Sequence, residues 1–575
     1  MALDLIIRNG TVVDGSGLPR YRADVGVAGG RIVAIGPLSE PAKETIDAEG
    51  HVVAPGFIDA HTHMDAQIFW DPIGTCSCWH GVTSVIMGNC GFSVAPCAEK
   101  DKHLVLRNLE RAEDISPKAM QEGMHWAWET FAQYLDAIDR TPKGINYAAY
   151  VGHSALRTYA MGERAFDSEA NDDDVRAMKR ELADAVNAGA IGFSTSRTGN
   201  HLTADGRPVA SRLASWQEVR ELVGVLRDEG AGIFELSRED IKEDPAHRRD
   251  YFDRLKRLAV ETRVPTTYSG NYSRKMKNVG AWRDFYDLAD EIVAGGGRAL
   301  VQAHSRWAAT LLSFESSMPY DTAPLWRELR ARPLAEQEAA LRTPETRRRL
   351  VADALDQAKK PSGAVGTEVS SNVDYDWVFP LTRMTPPYKS VGEIARASGQ
   401  QPIDVVIDMA LERHLKMFFL TPVFNEDQNV VEQMMKHPRA AVTFSDSGAH
   451  VSQIMDSSLQ THMLAHWVRE RQAFTLEQAV RKMTFDIAAF WGLQGRGLIR
   501  EGSIADLVIF DPDRVAAQMP TVETDLPGGA RRLKQKADGI LATVVGGQVL
   551  LRNNEHTGAL PGRLMRGPLA HRAND

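Results

Sequence analysis

A chain of 575 residues is too long for one small core, and 43% hydrophobic with 25% charged residues is the balance of a globular enzyme, not of a disordered chain. The formal charge of −9 contains no basic block, which argues against nucleic acid as a partner. All four cysteines, Cys76, Cys78, Cys90 and Cys97, fall in one short stretch and are no disulfide framework spread along the chain.

The first residues, Met1-Ala2-Leu3-Asp4-Leu5-Ile6-Ile7-Arg8, carry an acid and a base inside their apolar run and no small-residue cleavage site. No apolar run reaches the ~18 residues of a membrane span, so a cytoplasmic protein without membrane contact is expected. Residues 5–14 read as two short strands broken at Asn9-Gly10, and residues 22–35 as a further hairpin. Residues 502–511 and 542–550, at the far end of the chain, are strand-like in the same way. Strands of this kind bury a core more often than they build a site.

Residues 54–96 have a different character. An apolar approach, Gly56-Phe57-Ile58, leads into His61-Thr62-His63. Residues two apart on a strand share a face, so both imidazoles would point to one side, a pincer for a borderline metal such as zinc. Taken alone, the pair reads equally as ordinary polar residues. Thr83 to Gly88 reads as a buried strand ending in Asn89-Cys90-Gly91, where Cys90 is either a ligand or a small buried hydrophobe.

From residue 54 to about 492, short apolar runs alternate with helical stretches. Candidate strands are 57–61, 84–87, 146–151, 190–194, 232–236, 264–268, 299–304 and 441–445, with helices such as 168–188 and 215–229 between them. Eight such units predict an α/β fold, a (β/α)8 TIM-like barrel, with its chemistry at the strands' C-terminal ends. Residues 305–400 are too long for one connector. They are expected to form an inserted subdomain near the mouth, a lid or an oligomer contact, or else a solvated helical excursion. Asp446 closes the last apolar run and serves there either as a helix cap or as a site acid.

The signature Pro55-Gly56-Phe57-Ile58-Asp59-Ala60-His61-Thr62-His63 resembles the first barrel strand of the amidohydrolase superfamily. The following Gly88-Asn89-Cys90-Gly91 is similar to the branch containing the N-acyl-D-amino-acid deacylases. The resemblance implies a composite β-sandwich from residues 1–53 and 496–575 around a barrel at 54–495. It implies a Zn2+ ion held by His61, His63, Cys90 and Asp446, with Asp446 also handling protons as the catalytic acid and base. It places His153 in the site lining, and His304 and His450 lie at or near strand ends as further contacts.

The chain departs from that pattern in two places. The segments corresponding to the fifth and sixth strands, around Glu235 and Thr266 to Tyr272, carry no histidine, which favours one metal over two. Glu235 could substitute there as an oxygen ligand. No Lys or Arg lies between Asp446 and Arg469 to clamp a substrate carboxylate, and Arg197 is the expected replacement, or else part of a structural ion pair. The expectation is a metal-dependent hydrolase of non-peptide C–N bonds acting on a small molecule. A same-fold hydrolase of lactones, esters, cyclic amides or xenobiotic amides, and a non-catalytic scaffold, stand as alternatives. A homo-oligomer remains open.

Overall fold

The computed structural model describes residues 3–239, 244–274, 279–359 and 372–570. Its centre is a set of short parallel strands separated by helices. Phe57–Asp59, Val82–Met87 and Asn146–Ala149 pair in that order. Val151–Gly152, Gly192–Ser196, Ile233–Ser237, Thr266–Ser269, Ala299–Ala303 and Ala440–Val442 form a six-stranded sheet, again in chain order and all parallel. The two sheets meet at Tyr150, whose N–H donates to Met87 O, while at their other ends Thr62 and Ser447 form a parallel bridge.

Alternation along these strands explains both cores. Ile58, Ile86, Ala148, Ile233, Leu300 and Ala441 pack into one cluster, together with Ile487 and Trp491 of a C-terminal helix. Their neighbours Phe57, Val85, Phe234, Val301 and Val442 belong instead to the large core under the helices. Two residues further along three of the strands, above Ile233, Leu300 and Ala441, come Glu235, Gln302 and Thr443. Polar side chains thus replace apolar ones where the strands approach their C-terminal ends. The expected helices begin at their caps: Asn171 accepts from the N–H groups of Asp173 and Asp174, and Ser215 accepts from that of Glu218.

The chain ends share one nine-stranded sheet, in which Val52–Pro55 pairs with both Leu3–Val12 and Leu507–Phe510. Leu507–Phe510 is buried on both faces: Leu507 and Ile509 enter the sheet's own core, and Val508 and Phe510 enter the central one. The excursion expected over residues 305–400 extends to Phe424, because Phe419–Phe424 returns to pair antiparallel with Ala308–Leu312. It carries its own apolar core around Trp326, Leu350, Ile407 and Phe419. Part of it, residues 360–371, lies outside the described residues. Among the described residues no helix is long and apolar enough to cross a membrane.

Candidate metal centre

His61 and His63 follow the first parallel strand, and their rings lie 5.5 Å apart on one side of the chain. Thr62 turns the other way and bonds Ile86 O through its hydroxyl at 2.9 Å. Cys90 sits just beyond the second strand in a left-handed conformation, φ 55°. Ligand atoms of His61, His63 and Cys90 all lie within 4.8 Å of one another. Asp446 Oδ1 approaches His61 Nε2 at 3.2 Å and His63 Nε2 at 3.5 Å, and Cys90 Sγ lies 3.3 Å from His61 Nε2.

These separations are close to the ~3.3–3.7 Å edges of a tetrahedron whose bonds are 2.0–2.3 Å, the zinc–nitrogen and zinc–sulfur range. Both ring nitrogens of the buried His63 lack hydrogen-bond partners, a costly arrangement unless a ligand claims one of them. The donor set therefore fits a zinc-type ion. Left-handed backbone gathers at this place as well: Cys90, Phe444 (φ 95°), Asp446 (φ 52°) and His450 (φ 50°) all adopt it. Gly448 is required by its neighbour, since a Cβ there would stand 2.4 Å from His63 O.

Further buried side chains hold His61 and Cys90 in place. His61 Nδ1–H donates to Gln302 Oε1 at 2.6 Å, and Gln302 is steadied by Thr267 Oγ1 at 3.2 Å, which leaves His61 Nε2 as the donor to a metal. Glu235 Oε2 accepts the Cys90 N–H at 2.8 Å, while Glu235 Oε1 lies 3.9 Å from His61 Nδ1. Glu235 thus stands behind His61 and Cys90, on the side of His61 away from Nε2. Burial pushes its carboxyl up to about 7.

Charge is concentrated here. Burial opposes the charge on Asp446, yet the imidazoles of His61 and His63 close beside it outweigh this and hold the carboxyl well below its ordinary range. His61 is raised because Asp446 and Glu235 overcome the burial that works against its imidazolium, whereas burial wins for His63, which is lowered. Burial, together with the carboxylates of Glu235, Glu113 and Asp446, pushes the Cys90 thiol well above its usual value.

Glu113, His201 and His450 complete the arrangement. Glu113 is 2% exposed and follows the helix Lys102–Glu110. Its Oε2 lies 3.5 Å from His63 Nε2 and 3.6 Å from His450 Nε2, and its Oε1 lies 3.9 Å from His201 Nε2. Burial, with Asp446 nearby, raises its carboxyl well above the ordinary range. His201 is held by Ser196 Oγ at 2.7 Å, and burial lowers it to about 3. Sequence reading missed Glu113, Gln302 and His201. Glu113 falls in an ordinary-looking helix end, and its left-handed neighbour Asp114 (φ 51°) leaves no mark in composition.

The other expected contacts are distributed differently. His450 stands beside Glu113. His304 donates through Nδ1 to Arg306 O at 2.9 Å and lies 3.3 Å from Asp456 Oδ2, separated from His61 by the ring of Phe444. His153 faces the helices: its two nitrogens meet Thr195 Oγ1 at 2.8 Å and Glu218 Oε1 at 2.9 Å, in a buried network with Arg157. Arg197 donates to Glu239 Oε1 at 2.6 Å and to Ala214 O at 2.9 Å. Both are committed within the protein.

Comparison with known proteins gives this geometry a context. The amidohydrolase family matches residues 44–551. The chain is similar to D-aminoacylase of Alcaligenes xylosoxydans xylosoxydans, 29% identical over 573 residues, covering 98% of this chain and 97% of that one. It is similar to N-acyl-D-glutamate deacylase of the same organism, 32% identical over 524 residues, covering 89% and 88%. Among solved structures, N-acyl-D-glutamate deacylase from Bordetella bronchiseptica, complexed with zinc and a phosphonate mimic of the tetrahedral intermediate, superposes with a TM-score of 0.66 at 25% identity. That match covers 98% of this chain and all of the other.

Proposed function

The chain belongs to the amidohydrolase family, and from that premise we propose that it is a metal-dependent hydrolase of non-peptide C–N bonds, with N-acyl-amino acids as its leading substrate class. The observation that carries the reading is the convergence of His61, His63 and Cys90 within 4.8 Å, with Asp446 Oδ1 3.2 Å from His61 Nε2. The parallel strands are read as a (β/α)8 barrel, with the site at their C-terminal ends. The deacylase activity of the relatives and the zinc in the Bordetella structure support the substrate class and the metal.

His61, His63, Cys90 and Asp446 would hold one zinc ion. Bound there, zinc would lower the pKa of a coordinated water to about 7 and polarise the acyl oxygen. Asp446, facing that position, accepts the proton of the attacking water and returns it to the leaving nitrogen. Gln302 fixes the His61 tautomer, and Glu235 fixes the Cys90 backbone. The carboxylates of Asp446 and Glu113, with Cys90, favour a dication at this position.

The test is metal content per chain, followed by hydrolysis assays on N-acetyl-D- and N-acetyl-L-amino acids, simple lactones and cyclic amides. Zinc-dependent release of free amino acid is the expected result. Turnover of lactones alone would move the chain to ester chemistry, and a chain that neither retains metal nor turns over any substrate would be a scaffold.

A further inference from the structure

A cavity of about 320 Å³ is lined among others by Glu110, Arg111, Asp114, Ser452, Leu526 and Arg531. It adjoins the site through the chain itself, since Asp114 follows Glu113 and Ser452 stands two residues after His450. The two segments are latched together: the His450 N–H donates to Glu113 O at 2.6 Å, and Ser452 Oγ donates to Asp114 Oδ2 at 2.6 Å.

The remaining wall comes from the C-terminal part of the chain. Thr521–Leu526 and Ala530–Lys534 pair as an antiparallel hairpin, and the Leu533 N–H donates to Val451 O at 2.7 Å, next to His450. Arg532 anchors the hairpin inward, with ion pairs to Asp71 at 3.0 Å and Asp525 at 2.7 Å. Arg532 and Leu533 also line the small space that contains Asp446. Arg531, one residue away, turns to the opposite face, where it is exposed and lines the larger cavity. Its Nη1 donates to Glu315 O at 2.7 Å, and its charge reaches the carboxyl of Asp321, although among the described residues it makes no ion pair. The acids Glu110 and Asp114 share the cavity, and Asp114 is already turned to Ser452.

We propose that the hairpin Thr521–Leu526 and Ala530–Lys534 walls the substrate cavity, and that Arg531 binds a carboxylate carried by the substrate. The inference rests on the C–N hydrolase reading above and adds a specificity residue to it. A guanidinium meets a carboxylate with two parallel N–H donors. The loop after Asp446 supplies no such cation, and Arg197 is spent on Glu239. The fold thus brings from a terminal segment the charge that the eighth strand's exit lacks.

The experiment compares N-acetyl-D-leucine with N-acetyl-D-leucinamide, a pair differing in the carboxylate alone, on the zinc-loaded full chain and on Arg531→Gln. In the variant the KM of the acid should rise at least ~10-fold with kcat little changed, while the amide is nearly unaffected, because binding lost equally from ground and transition states appears in KM. Equal effects on both substrates, or none on either, would overturn the assignment. If the wild type hydrolyses neither, calorimetric titration with the same pair decides. Tighter binding of the acid that Arg531→Gln abolishes would support Arg531 and sink the hydrolase reading; equal binding of acid and amide would sink Arg531.

Discussion

Removing the Cys90 thiol tests the metal centre directly. The buried thiol is held well above its ordinary pKa by burial and by the carboxylates of Glu235, Glu113 and Asp446, so the metal-free protein carries it protonated at neutral pH. Zinc takes the thiolate, and binding must therefore release that proton. At pH values below the thiol's raised pKa, affinity should climb by about a factor of ten per pH unit from this proton alone. His61, whose pKa is also raised, adds a second released proton on the acid side of its own titration. Cys90→Ala removes one of three converging donors and the thiol's share of the pH slope. The loss in affinity should exceed the ~10–100-fold typical of deleting an outer hydrogen-bond partner of a ligand. The assay is competition for zinc against a chromophoric chelator at pH 6.5, 7.5 and 8.5, on wild type and variant. A Cys90→Ala protein that stays within tenfold of wild type, with an unchanged pH slope, would refute the ligand role. Cys90 would then be a small buried hydrophobe.

Asp446→Asn should retain metal through His61, His63 and Cys90 yet lose at least ~10²–10⁴-fold in kcat, because an amide cannot accept the water proton; a folded, loaded variant within a few-fold of wild type would remove Asp446 from the mechanism. Elemental analysis should find one tightly held metal per chain, since the fifth and sixth strands bring Glu235 and Thr267 where a second histidine set would be needed; two tight ions would contradict this. Glu113→Gln should weaken zinc binding at least ~10-fold by removing a carboxyl that would ionise beside the bound dication, while raising the melting temperature of the metal-free protein, because it removes a buried carboxyl whose ionisation the fold opposes; both are read by titration and thermal unfolding. Asp114 has its carboxyl raised to about 7 by burial, so between pH ~4 and ~7 the unfolded chain binds fewer protons than the folded one and stability falls as pH rises. A shift of about three units corresponds to about 4 kcal/mol, and Asp114→Asn should flatten that decline in melting curves from pH 5 to 8; an unchanged slope would show that Asp114 is not its source.

Local pattern determined much of this protein. His61 and His63 are legible because strand geometry sets residues two apart on one face, and Cys90 because Gly88-Asn89-Cys90-Gly91 after a buried strand resembles the deacylase motif. Strand and helix alternation, the two capped helices and the terminal strands follow from short-range periodicity and cap chemistry in the same way. Tertiary structure decided what depends on distant partners. Gln302, which sets the His61 tautomer, lies 241 residues away in the chain, and nothing near either residue announces the pairing. Glu113 looks like a solvated helix-end acid until the fold buries it among His63, His201 and His450. His153 and Arg197 look like site residues at strand ends, but Glu218 and Glu239, from other elements, claim them. Arg531 looks like one of several surface charges on a terminal hairpin until Leu533 pairs with Val451 and sets it beside the cavity. A residue's backbone conformation is set mainly by its neighbours in sequence, whereas the charge, burial and partners that give its side chain a role are set by whatever the fold packs against it.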